Sequence, residues 1–337
     1  MIAAPLLCLL LWDIGWALYM VHLQHEAFPV RSQIQKMESL ITPLLTPVSF
    51  LLVFRLGRAA VRYWDARAAL GKVVEICRSM SSTALVGCQS FSATCSPTGI
   101  DNTHQQQRLT QNQQKQQQLA EDFVRWIAVF PIAVKNFLRP HEGLGCKRQQ
   151  EIGNVLCPED CKGLLDAKAD YQYAPIFVLN RMRQLAFEVC HPSLPEQQQQ
   201  RKQQPSTNDA VLAMLYRQLN EQIDSLTGAW GAMERISGTP LPFVYVVHLR
   251  TFILLYLCLW HLEAIASKGW IALLPLMLAS WGLLGIEAAA VECERPFQWQ
   301  SNHLALGKAC LIVSRNLAQT MQNTGWATNT NLTNKGN

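Results

Sequence analysis

Four apolar segments set the frame for this 337-residue chain, since each is long enough, alone or continued as a helix, to cross about 30 Å of hydrocarbon. The first is Ile2 to Val21, broken only by Asp13. The second, Leu40 to Phe54, is short but continues as a helix through Arg55 to Arg78, a stretch with no proline and two glycines. Phe243 to Leu262 and Gly269 to Ala288 are the third and fourth, and the six residues between them predict a hairpin of helices. No Lys or Arg precedes Arg31, so the first segment lacks the basic start of a secretory signal and is expected to be a retained anchor. A fifth apolar segment, Phe123 to Leu138, contains Arg125, Pro131 and Lys135 and is expected as a core helix outside the membrane.

Four crossings put both termini and the loop Arg55 to Pro240 on one side. Of the 29 Lys and Arg, 21 lie in that loop and four follow Glu287. Arg55, Arg58, Arg62 and Arg67 directly follow a span and weigh most, which makes the loop side cytoplasmic, or stromal in a plastid. The domains expected are membrane helices over 1–78, an inner helical domain over 79–240, a transmembrane hairpin over 241–291 and an inner segment with a disordered tail over 292–337. Two glutamine tracts, 105–118 and 197–204, bury little apolar surface and are expected as mobile loops. Helices are expected over Ala120–Leu138, Ile176–Val189 and Asp209–Arg235. Charged residues are only 16% and the net charge is +5, so nothing points to a nucleic-acid partner. Eleven cysteines without regular spacing read mainly as small buried hydrophobes.

Three motif groups carry a family resemblance. After the second span comes Phe54-Arg55, then Arg62-Tyr63-Trp64-Asp65-Ala66-Arg67. Before the third span stand Glu234-Arg235-Ile236 and Thr239-Pro240-Leu241-Pro242, followed by Tyr245 and His248-Leu249-Arg250. After the fourth come Gly285-Ile286-Glu287, Glu294-Arg295-Pro296-Phe297 and Asn302-His303-Leu304. In this order and spacing they resemble the bestrophin-like channels, although Gly57, Val61, Tyr63 and Asp65 depart from the commonest pattern. The resemblance implies an all-α membrane channel, a homopentamer with one axial pore, four transmembrane helices per chain and an inner helical domain. It implies passage of chloride or other small anions, bicarbonate among them, no enzymatic activity and no cofactor. A plant or algal thylakoid channel is the nearest type, with the plasma membrane as the alternative host.

Carried over residue by residue, the apolar neck of such a pore is Thr46, Phe50 and Phe54, three i, i+4 positions on one helix face. Stacked apolar rings gate by dewetting, and phenyl edges suit a partly dehydrated anion. Spacing alone favours a Phe pair packed on a neighbouring helix, and it is the resemblance that favours the pore. Arg55, Arg58 and Arg62 are expected to attract anions at the pore mouth, the other reading being a salt-bridged face with Asp65 and Glu75. An inner constriction maps to Ala213 or Met214, both also acceptable as core residues. The stretch Glu292 to Trp299 lacks the run of carboxylates with which animal members hold calcium, so calcium gating is not expected. The competing classes are a membrane metalloprotein using Cys157 and Cys161 with Cys146 and His141, and a secondary anion transporter using Asp13, His22, His248 or His261.

Overall fold

The computed structural model describes residues 3–22, 28–94, 103–139, 150–169, 174–191, 207–300 and 302–324, and among them helices are the only regular structure. The principal helices are α1 (Ala3–His22), α2 (Phe28–Lys36), α3 (Glu38–Ile41), α4 (Leu45–Thr94), α5 (Thr103–Leu138) and α6 (Pro158–Ala169). They continue with α7 (Ala174–Cys190), α8 (Thr207–Gly238), α9 (Phe243–Lys268), α10 (Leu273–Glu294) and α11 (Leu306–Asn323). The second glutamine tract, Cys146, His141 and the chain after Thr324 lie outside the described residues.

The chain forms two compact units. The first comprises residues 1–66 and 236–303, the second 67–235 and 304–337. Stretches long and apolar enough to cross a bilayer are Ala3–Met20, Arg31–Gly87 and Phe243–Glu294, the last spanning both α9 and α10.

In the first unit, Leu9 of α1, Val48 and Leu52 of α4, Leu249, Ile253, Tyr256 and Leu257 of α9 and Leu284 of α10 form one buried cluster. α9 and α10 are antiparallel: Arg250 meets Glu287 and His261 meets Ser280, so sequence number rises on one as it falls on the other. The expected hairpin forms, but α9 runs on through residues 263–268 and the reversal falls at Gly269–Ala272. Gly269 has φ of 63°, a left-handed value that a side chain resists and glycine does not. One carbonyl near the end of α9, that of Ala266, is met from α2, where Arg31 donates to it at 2.8 Å and Gln35 at 3.3 Å.

Three polar side chains inside this unit satisfy one another. His261 Nδ1 lies 2.9 Å from each carboxylate oxygen of Asp13, and His261 Nε2 lies 2.7 Å from Ser280 Oγ. All three residues have zero exposure. An unpaired carboxylate within hydrocarbon is costly, so Asp13 needs this partner, and the contact ties α1 to both arms of the hairpin.

In the second unit, α5 is the central element. From Ala120 to Val134 nearly every apolar side chain is buried, Trp126, Ile127 and Phe130 among them. Its charges are matched at the margins: Arg125 with Asp122 at 3.0 Å, and Lys135 with Glu151 at 2.6 Å. Pro131 cannot bond back to the Ile127 carbonyl, and the Cys77 thiol of α4 reaches that freed oxygen at 4.0 Å. The first glutamine tract differs from expectation, because α5 begins at Thr103 and carries residues 105–118 as helix. Glutamine has good helix propensity, and the tract extends a helix already anchored by the buried turns that follow it.

Candidate functional site

The site is built on the first turns of α4. Pro47 occupies its first turn, where the missing N–H costs no intrahelical bond. Beyond it the helix presents two rows. Val48, Leu52, Arg55, Ala59 and Ala66 are buried. Thr46, Phe50, Phe54 and Arg58 follow one another at intervals of four and are all exposed within the single chain.

Phe50 is 68% exposed and Phe54 48%, and their rings stack with centroids 6.4 Å apart. The guanidinium of Arg58 stands 5.3 Å from the Phe54 ring centroid, so one row runs from hydroxyl through two stacked rings to a cation resting on the last of them. Two large aromatics standing free on a helix whose opposite face is well packed make an apolar surface that one chain does not cover.

The three arginines expected at the mouth take three different places. Arg55 has zero exposure, and its Nη1 bonds both oxygens of Glu287 at 2.5 and 2.6 Å. Its Nη2 lies 3.6 Å from Glu294. Its charge is therefore compensated inside the unit, away from the exposed row. The cause is its row: i, i+3 and i+4 steps from Val48 and Leu52 put Arg55 on the packed side. Arg62 Nη2 donates to the Ile236 carbonyl at 2.6 Å and Nη1 to the Thr239 carbonyl at 2.8 Å, which caps the last turn of α8. Arg58 alone remains on the exposed row.

On α8, Ala213 and Met214 are both exposed, Met214 strongly, and Leu215 beside them is buried. Their exposure does not choose between them. Glu292 accepts from the Asn302 side chain at 2.8 Å, and Glu294 faces Arg55. Among the described residues no three of His, Cys, Asp and Glu gather to hold a metal ion. Cys157 and Cys161 are free thiols at the start of α6, the former 3.3 Å from Asp160.

Glu287 is the residue whose importance sequence reasoning missed, since Arg250 Nε also reaches it, at 2.7 Å. The signal was present. Arg55, Arg250 and Glu287 each sit in an apolar helix with no opposite charge one turn away on the same helix, so they must cancel one another across helices.

A membrane-type, all-α fold with its exposed aromatic row is the class these features define. A family profile described as Bacterial/Fungal Bestrophin protein matches residues 2–319, and the chain belongs to the bestrophin family. A voltage-dependent anion channel-forming protein of Nostoc sp. is 27% identical over 270 residues, covering 80% of this chain and 73% of that protein. One of the same description from Synechocystis sp. is 25% identical over 289 residues, covering 86% and 78%. Among solved structures, a bacterial bestrophin homolog from Klebsiella pneumoniae superposes with a TM-score of 0.70 at 16% identity, covering 97% of this chain and all of that one.

Proposed function

We propose that the chain is one subunit of an anion-selective channel, a homopentamer whose neck is lined by Thr46, Phe50 and Phe54. The observation that carries this is the exposed row on α4. Two stacked phenyl rings stand uncovered by the described residues of their own chain. Repeated around an axis, the row becomes stacked rings: a hydroxyl ring at Thr46 that wets readily, then two phenyl rings that exclude bulk water yet offer their positive edges to a dehydrated anion. Arg58 sits at the inner end of the same row, where a cation raises the local anion concentration. Arg55 and Arg62 serve this neck by holding α4 in place. Ala213 or Met214 is the proposed inner constriction, chloride or bicarbonate the proposed cargo, and a thylakoid membrane the proposed host.

The names of the Nostoc and Synechocystis relatives agree with this reading. A secondary transporter driven through Asp13 and His261 is disfavoured, since both groups are enclosed by packing at zero exposure and bonded to each other.

The test is reconstitution of the purified protein in a planar bilayer with asymmetric salts. Reversal potentials that follow the chloride or bicarbonate gradient are expected, and potentials that follow potassium overturn the proposal. Native mass measurement in detergent should give five chains; monomers or dimers alone count against the axial pore.

A further inference from the structure

A cleft of about 300 Å³ opens in the first unit between α1, α9 and α10, away from the aromatic row. Its walls are Ile253 and Leu254 of α9 and Leu284, Ala288 and Val291 of α10, with Pro5 of α1 at the rim. One corner is polar, and there Arg250 and Glu287 meet.

Arg250 is only partly used by the protein. Its Nε binds Glu287, which is simultaneously held by Arg55, whereas its side chain is 48% exposed and makes no other hydrogen bond to a described residue. Glu287 is therefore shared by two cations, Arg55 having Glu294 as a second partner at 3.6 Å, and it engages Arg250 through Nε alone. The outer edge of the Arg250 guanidinium, two N–H groups in a fork suited to a phosphate, is left facing the cleft.

The position fits the boundary between headgroups and acyl chains. Arg250 lies seven residues after Phe243, where α9 begins, hence about 10 Å along the helix axis from its start. Glu287 lies the same number of residues before Glu294, where α10 ends, and Pro5 is at the start of α1. Helix surface near this level is apolar and open, with Phe243, Val244, Leu254 and Leu255 exposed. A charged fork above an apolar channel at this depth matches one ligand chemistry, a phosphodiester carrying hydrocarbon chains.

We infer that this cleft is a binding site for an anionic phospholipid, its phosphate on Arg250 and part of one acyl chain against Ile253, Leu254, Leu284, Ala288 and Val291. The site needs only that the first unit lies in a bilayer. It does not depend on ion conduction, so a protein that binds this lipid but passes no current would leave the site standing while the channel reading fell.

The experiment is native mass spectrometry of the full-length detergent-solubilised protein, titrated with phosphatidylglycerol and phosphatidylcholine of identical chains. A basic group at the membrane surface contributes about 1 kcal/mol toward an anionic lipid, so the expected preference for phosphatidylglycerol is about fivefold. Arg250→Gln should abolish the preference. Ala288→Trp, which fills the channel and leaves every charge in place, should abolish the bound lipid itself. Soluble glycerol 3-phosphate in excess should fail to displace it. Equal binding of both lipids by the wild type, as expected if a neighbouring subunit covers Arg250, overturns the inference. So does unchanged binding by Ala288→Trp, or displacement by glycerol 3-phosphate, which would mark a plain anion site. If Arg250→Gln does not assemble, Ala288→Trp and the displacement experiment decide.

Discussion

Arg55 of α4 and Glu287 of α10, 232 residues apart in the chain, meet through both oxygens of the carboxylate at 2.5 and 2.6 Å, with no solvent reaching the arginine. Arg250 shares one of those oxygens. Removing Glu287 therefore leaves Arg55 with Glu294 alone at 3.6 Å and takes the partner from Arg250, whereas removing Arg55 leaves Glu287 to Arg250 and takes the partner from Glu294. Breaking a buried pair from one side costs about 3–5 kcal/mol. Glu287→Gln and Arg55→Gln are each expected to lower the thermal midpoint of the purified assembly, and the double variant should lose less than the two losses added. Additive losses would mean that the pair is not coupled.

Phe50→Ala with Phe54→Ala tests the neck. If the rings line a pore, assembly is retained and conductance rises, because the constriction widens and wets more readily. If they are packing residues, assembly falls, since each such truncation in a core costs about 3–5 kcal/mol. Measuring assembly first and conductance second separates the outcomes.

Arg58 and Arg62, four residues apart, should respond in opposite ways. Arg58→Gln is expected to reduce anion conductance, most clearly at low salt where screening is weak, with little change in stability. Arg62→Gln removes two bonds to the carbonyls that end α8 and should destabilise by about 1–3 kcal/mol while the ion preference of assembled protein stays the same. A selectivity change in Arg62→Gln alone would reverse the assignment.

The thiols at the start of α6 should differ in reactivity. Cys157 is exposed, while Cys161 is buried, and burial together with the neighbouring Cys157 sulfur pushes its thiol up from the ordinary range. The thiolate is the reactive form, so near neutral pH a maleimide should modify Cys157 well before Cys161, and raising the pH should narrow the difference. Peptide mapping after timed labelling reads this directly.

The hairpin was legible in the sequence because it is local, two apolar runs with a short joint, whereas the row of Thr46, Phe50 and Phe54 was picked out through the family resemblance, its intervals of four residues placing the three on one helix face without saying whether that face is packed or open. The roles of the arginines were not legible, although their spacing held a clue. Arg58 continues the four-residue row of Thr46, Phe50 and Phe54, while Arg55 falls with Val48 and Leu52 on the packed side. Treating three nearby arginines as one basic patch ignored that the helix turns between them. The partner of Arg55 was signalled only by lone charges in apolar helices, and that of Asp13 was not singled out at all, for another reason. Each lies more than 200 residues away, and no local pattern reports a contact across that separation. The helical glutamine tract was misjudged from its composition, which speaks to how little it buries but not to the anchored helix from which it extends.

The bond between Asp13 and His261 also sets a problem of timing. The carboxylate is synthesised 248 residues before the imidazole that receives it. At about 5–20 residues per second, roughly 12 to 50 s pass on the ribosome before the two can meet. Throughout that interval α1 carries an acid that hydrocarbon resists, so the nascent helix has to keep Asp13 near the interface or in the care of the insertion machinery until α9 arrives. Nascent chains arrested before residue 261 should therefore leave α1 extractable by alkali, and chains released after α10 should hold it firmly. His261, made late in synthesis, would thereby govern whether α1 stays in the membrane.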